Sequence, residues 1–237
     1  MDGLLILSIE TATGCGSVAL SRGTRLLAEA TAQPEVTHSR RLLGTVSWLM
    51  QAAAVTWSEL DAIGVSLGPG SFTGLRIGLA AAKGLAMAAD IPLVGVDTLD
   101  ALALACAGVR RQVCPVLDAR KQEVYAAMYQ VCGQEGYPVR LSEDKALAPE
   151  ALVASIDRPT VLAGPAVAVY ADVFSANDFV QLLPTELVYP RALYVGLLAE
   201  QKIRNSEVVS SATLQPKYVR APEAEINLRR KQEQMEK

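Results

Sequence analysis

Three groups of residues have the types and spacing to do chemistry. Glu10 closes the apolar run Leu4 to Ile9, and Asp118 closes the run Val113 to Leu117. Acids at the carboxyl ends of strands point into the crevice where open α/β sheets bind ligands, and there they orient magnesium or water around nucleotide phosphates. Thr11 and Thr13 follow Glu10 without a lysine, and Ala119-Arg120-Lys121 follow Asp118, so a phosphate cradle is half equipped. The third group, Gly68-Pro69-Gly70-Ser71-Phe72-Thr73-Gly74, joins a strand to a helix, where backbone amides can receive a phosphate. Its spacing departs from both phosphate signatures. The dinucleotide fingerprint needs glycine where Thr73 stands, and the P-loop needs Gly-Lys-Ser/Thr, whereas Lys83 precedes Gly84. The alternative is a tight turn with close helix packing through Gly74 and Gly78.

Other chemistries find less support. His38 is the only histidine, and it stands beside Ser39, Arg40 and Arg41 at a helix start, which favours capping or an interface contact over metal binding. Cys15, Cys106, Cys114 and Cys132 lack CxxC spacing, so free buried thiols are expected rather than a zinc site or disulfides. Ser39 and Ser71 lie outside any Gly-x-Ser-x-Gly elbow, which removes a serine hydrolase. A net charge of -3 gives no overall cationic field, so RNA contact has to be local or shared with a partner.

These residues need a scaffold to hold them. With 51% hydrophobic and 20% charged residues in 237, the chain buries a sizeable core, and scarce aromatics beside abundant alanine, leucine and valine favour helices packed on a sheet. Met1-Asp2-Gly3 runs straight into a strand without a basic leader, and the uncharged stretch Leu42 to Ser58 is interrupted by Gly44, Ser47, Gln51 and Thr56. A cytoplasmic location is the expectation. The first half reads as a hairpin (Leu4–Glu10, Ser17–Leu20), a third strand from Arg25 to Thr31, and a helix from His38 to Val55. A Thr56-to-Glu59 capping box, a strand from Ala62 to Leu67, a helix from Thr73 to Ala89, a strand from Leu93 to Val96 and a helix capped by Asp97 follow.

The pattern then restarts. Val113 to Asp118, a turn, the strand Glu123 to Gln130, and later Thr160 to Ala163 before Gly164-Pro165 and a helix repeat the first half in order, as a duplicated lobe would. The expected units are a first lobe over 1–108, a second over 109–215 whose last helix, Ala192 to Arg204, crosses back, and a charged tail over 216–237. Helix Thr73 to Ala89 is apolar almost all round and carries Gly74, Gly78, Ala82 and Ala86 in one small-residue stripe. The helix before it is also over-supplied with apolar faces, so the two together suggest a subunit interface.

Ile9-Glu10-Thr11, His38-Ser39-Arg40, Gly68-Pro69-Gly70-Ser71-Phe72-Thr73-Gly74-Leu75-Arg76-Ile77-Gly78, Asp118-Ala119-Arg120, Glu123-Val124-Tyr125 and Pro216-Lys217-Tyr218-Val219-Arg220 together resemble the TsaB (YeaZ) family. The resemblance runs from the first strand to about Arg220. It implies a two-lobed actin-like, sugar-kinase-like α/β fold of the ribonuclease H-like (ASKHA) class with duplicated βββαβα lobes. It also implies a non-catalytic role in threonylcarbamoylation of the adenosine beside the anticodon in tRNAs reading ANN codons. The partners implied are TsaD as a heterodimer, TsaE joining the pair, TsaC supplying threonylcarbamoyl-adenylate, tRNA through the complex, and a second copy when the chain is isolated. The interface implied lies on the two first-lobe helices: His38, Leu42, Val46, Met50, Thr73, Gly74, Arg76, Ile77, Gly78, Ala81, Ala82 and Leu85. No tightly bound cofactor is implied; ATP or ADP with magnesium would bind weakly at Glu10, Thr11 and Asp118, or at the shared interface. Glu10 stands where the family more often has aspartate. The rival readings are a nucleotide-dependent enzyme or peptidase active on its own, and a homodimeric regulator.

Overall fold

The structure is a computed structural model and describes residues 3–32, 41–130, 136–185, 188–208 and 210–220. His38 and the segment 221–237 lie outside the described residues.

The first sheet is built from β1 (Leu5–Glu10), β2 (Gly16–Arg22), β3 (Arg25–Ala32), β4 (Ala62–Gly68) and β5 (Leu93–Asp97), ordered β3-β2-β1-β4-β5. β1 pairs antiparallel with β2 and parallel with β4. All six β1 residues are buried, as a central strand covered on both faces requires. Leu5, Leu7 and Ile9 enter a core with α1 (Leu42–Ala52) and α2 (Phe72–Ala89), while Ile6 faces the opposite core with α7 (Ala192–Arg204).

The second sheet repeats this plan. β6 (Gln112–Arg120), β7 (Glu123–Ala126), β10 (Lys145–Leu147), β11 (Thr160–Ala163) and β12 (Val180–Leu182) are ordered β10-β7-β6-β11-β12, each with the same sense as its first-lobe counterpart. The short strands β8 (Tyr129–Gln130) and β9 (Val139–Arg140) are added at one side. α4 (Pro149–Ala154) packs Leu152 and Val153 into the core on one face of this sheet. This is the duplicated, two-lobed actin-like fold that the sequence pattern and the family resemblance imply.

Several boundaries differ from expectation. The helix expected from His38 to Val55 is helical from Leu42 to Ala52 and ends where Ala54 turns left-handed, at φ 53°. The strand expected from Glu123 to Gln130 is broken at Ala127 and Met128. Pro115 lies opposite Ala127 in the register that β7 and β8 share on β6, and proline has no N–H to give the ladder. The helix expected after Gly164-Pro165 is two single turns, α5 (Ala166–Val169) and α6 (Ala171–Phe174). The capping box forms: the Thr56 N–H and hydroxyl each donate to Glu59 Oε2 at 2.7 Å, which holds its carboxyl below the usual range. Cys15, Cys106 and Cys114 are free and buried, and no helix among the described residues is long and apolar enough to cross a membrane.

The last helix of each lobe reaches the other. α7 follows β12 yet lies on β1, β2, β4 and β5. α3 (Thr98–Leu104) follows β5 and packs on both lobes: Leu99, Leu102 and Ala103 meet Val113, Tyr129 and Val161 of the second, while Ala101 and Leu104 stay in the first-lobe core with Val94 and Val96. The amino end of α7 has no cap from its own chain neighbours. Ser17 Oγ accepts from the Ala192 N–H at 3.0 Å, and Glu29 accepts from the Leu193 N–H at 3.2 Å while pairing with Arg191. First-lobe strands thus satisfy the open amides of a helix that arrives from the second lobe.

Candidate functional site

Glu10 ends β1 between Ser66 of β4 and Ser17 of β2, and it is fully buried. Burial pushes its carboxyl up to about 7, against the Ala12 N–H and the Ser66 hydroxyl, which favour the ionised form. Oε1 accepts the Ala12 N–H, and buried Oε2 has no hydrogen-bond partner among the described residues. Thr11 is buried too, and its hydroxyl donates to Gly74 O at 2.8 Å.

The glycine-rich block serves this same contact. Ser71 caps α2 by accepting the Gly74 N–H, and the Ser71 N–H donates to Ala12 O at 2.6 Å. A Cβ on Gly74 would sit 2.1 Å from Thr11 O, and one on Gly78 would sit 2.1 Å from Thr11 Oγ1. The block therefore locks the first turns of α2 onto the turn after β1, the close-packing alternative to a phosphate cradle.

Asp118 is half-buried and committed to its own turn. Its Oδ1 accepts the Arg120 N–H at 2.8 Å, and Oδ2 lies 3.5 Å from the Arg120 guanidinium. A magnesium-bound nucleotide needs ionised oxygens and hydroxyls free to turn toward it. Glu10 keeps its proton up to near neutral pH inside the core, and Thr11 is spent on Gly74, so the residues present do not fit that ligand.

A second charged group escaped sequence reasoning. Asp97, expected to cap α3, makes no cap bond; it instead pairs with Lys217 and, at 3.2 Å, with Arg140. Lys217 also lies 2.8 Å from Asp144, and Arg140 pairs with Asp100 at 2.7 Å and with Asp144. The buried Tyr129 hydroxyl donates to Asp100 at 2.7 Å; burial and the Asp100 charge hold it protonated. Burial alone would lower the Lys217 ammonium, but its bonds to Asp144 and Asp97 raise it. These partners lie up to 120 residues apart, a juxtaposition that only the folded topology supplies.

The outer face of the first lobe is different in kind. The expected interface residues divide by burial. Leu42, Val46 and Met50 face the core, as do Gly74, Gly78 and Ala82, whereas Thr73 and Arg76 are exposed and Ile77, Ala81 and Leu85 half-buried. The small-residue stripe expected at a partner thus meets the chain's own sheet. Leu43 (57% exposed) and Trp48 (58%) stand outward on α1, and Met87 (83%) stands outward on α2 on the same side as exposed Ala80 and Gly84. Between α1, α2 and the turn at Trp57–Glu59 lies a groove of about 580 Å³ lined by Leu43, Met50, Val55, Trp57 and Leu85.

The family model described as "TsaD: tRNA N6-adenosine threonylcarbamoyltransferase" matches residues 26–228. A Bacillus subtilis protein named tRNA threonylcarbamoyladenosine biosynthesis protein TsaB is 30% identical over 94% of this chain and 96% of its own. The chain belongs to the TsaB family, within the wider TsaD group. A Haemophilus influenzae TsaB is 29% identical over 93% of this chain and 95% of its own. The solved YeaZ from Pseudomonas aeruginosa superposes with a TM-score of 0.78 at 30% identity, covering 91% of this chain and 99% of that one.

Proposed function

We propose that this chain acts in tRNA threonylcarbamoyladenosine biosynthesis as a non-catalytic subunit that pairs with TsaD through the exposed faces of α1 and α2. The observation that carries this reading is the contrast between the two candidate regions. The strand-end acids are spent on internal contacts, while Leu43, Trp48 and Met87 stand in water on α1 and α2 and Leu43 also lines a groove between the two helices. Exposed large apolar side chains grouped on one face mark association surfaces. In this role the chain holds TsaD in its active arrangement and helps form the surface that TsaE and tRNA meet, with TsaC supplying the activated threonylcarbamoyl group. ATP or ADP with magnesium binds at most weakly to this chain, or at the shared interface.

Reconstituting tRNA modification from TsaD, TsaE and the TsaC product, with and without this chain, tests the role. Modification is expected to depend on the chain; undiminished modification in its absence overturns the reading. The surface is tested by Gly84→Arg combined with Ala80→Glu. Both positions face outward, and nothing lies within 4 Å of a Cβ on Gly84. TsaD affinity is expected to fall about tenfold or more with the fold intact. Changing Ala82 would test folding instead, because that side chain is buried in the chain's own core.

A further inference from the structure

The Pro216–Arg220 segment spans both lobes. Leu214 belongs to the first-lobe core, and Val219 packs against the second-lobe core, so the five residues cross from one lobe to the other. On the first-lobe side the Lys217 N–H donates to Leu67 O at 2.7 Å, extending the end of β4, and Lys217 O presses on Gly68, where a Cβ would sit 2.7 Å away. Tyr218 stacks on Phe72 with ring centroids 5.2 Å apart and accepts from Arg76 Nε at 2.9 Å, so the segment also grips the first turns of α2. On the second-lobe side Arg220 pairs with Glu123 at 2.6 Å and donates to Ala119 O at 3.1 Å. Lys217 joins Asp97 of the first lobe to Asp144 of the second.

The chain crosses between lobes twice before this, through α3, which packs on both, and before α7. Two crossings leave two lobes free to swing as a hinge, the motion by which two-lobed proteins close around ligands. A third tie, anchored on the strand end, the α2 start and the β6–β7 turn together, adds to the bonds of Arg140 and Tyr129 with Asp97 and Asp100 and removes that freedom. We infer that Pro216–Arg220 is an interlobe clasp that fixes the angle between the lobes and holds α2 in one position relative to the second lobe. The partner-facing surface is thereby presented in a single geometry. The inference concerns the chain alone and stands whether or not TsaD is the partner.

Spin labels carried on unnatural side chains at the exposed positions 25 and 168, one in each lobe, leave the native cysteines untouched and report the interlobe distance. The wild-type chain is expected to give one narrow distance distribution. In Lys217→Ala/Arg220→Ala the distribution is expected to broaden and shift, and the Lys217 amide is expected to lose hydrogen-exchange protection while the strand amides of both sheets keep theirs. An unchanged distribution in the folded double variant overturns the clasp. Should the double variant fail to fold, Lys217→Ala and Arg220→Ala are measured singly: a broadened distribution in either supports the clasp, and wild-type distributions in both overturn it.

Discussion

After β1 the chain turns through Thr11–Cys15 into β2, and after β6 it turns through Lys121 and Gln122 into β7. The two turns hold equivalent places in equivalent sheets, and each follows an acid near the strand end: Glu10 is the last residue of β1, and Asp118 stands two residues before the end of β6. In the first lobe Glu10 is sealed in the core and the turn is clamped by α2 through Ala12 O, Thr11 O and the Thr11 hydroxyl. In the second lobe α5 is a single turn, the acid faces its own loop, and the loop is held by Arg220 from the far end of the chain. Burial thus separates two acids that strand position makes equivalent: one is a core residue that resists ionisation, the other a half-buried carboxylate fixing a turn. A strand-end acid in this fold is a candidate ligand only when the helix after the fourth strand leaves it room.

The clamp on the first turn is the sharpest point of difference. Gly74→Ala places a methyl group 2.1 Å from Thr11 O, which is backbone and cannot swing aside. A stability loss of about 3 kcal/mol or more is expected from such overpacking. Gly84→Ala, on the outer face of the same helix with nothing within 4 Å, is expected to gain up to about 1 kcal/mol from helix propensity. Urea denaturation of the two variants reads the difference. Equal effects would mean that α2 does not lean on the turn.

The acid itself supplies the next effect. Because burial raises Glu10 from 4.5 to about 7, the folded chain holds a proton that the unfolded chain has released between those values. The unfolded state then binds fewer protons, so stability falls as pH rises from about 4.5 to about 7 and levels off above. Glu10→Gln removes this dependence. The variant is expected to match wild type near pH 4 and to exceed it by up to about 3 kcal/mol at pH 8, since each tenfold change in proton affinity is worth about 1.4 kcal/mol. Thermal melts across that range check it.

How much of this was legible in the sequence follows from where the information sits. The duplicated lobes were readable because apolar runs tipped by Glu10 and Asp118 recur, each followed by a turn and a second strand, and β-strand pattern is local. The glycine block announced close packing, but which face of α2 it served was not readable. Gly74, Gly78 and Ala82 form a stripe that fits a partner as well as the chain's own turn, and only the position of Thr11 decides between them. The reach of α3 into both lobes was hidden because a helix with six of seven residues buried carries no stripe to reveal its direction. The Asp97, Arg140, Asp144 and Lys217 group was invisible for a related reason: each residue alone reads as a solvated charge, and Asp97 even occupies a plausible cap position. The break at Ala127 had a signal in Pro115, on the opposite strand, that pairing alone makes meaningful.

The second-lobe turn supplies the smallest effect and the most direct check on the comparison. Arg120, Lys121 and Gln122 are all left-handed, at φ 63°, 54° and 58°, with no glycine among them. Each non-glycine residue there costs roughly 1 kcal/mol relative to its relaxed backbone. Arg120 is tied to Asp118, whereas Gln122 is exposed and only continues the turn. Gln122→Gly relieves the strain but adds freedom to the unfolded chain, so a net gain of about 0.5 kcal/mol is expected. Glycine at a residue of the first turn that Ala12 or Thr11 occupies should give no such gain, because those residues are held by packing against α2 rather than strained. A loss of stability in Gln122→Gly, measured by the shift in urea midpoint at constant slope, would mean that the glutamine side chain anchors the turn and that the two turns are more alike than their geometry implies.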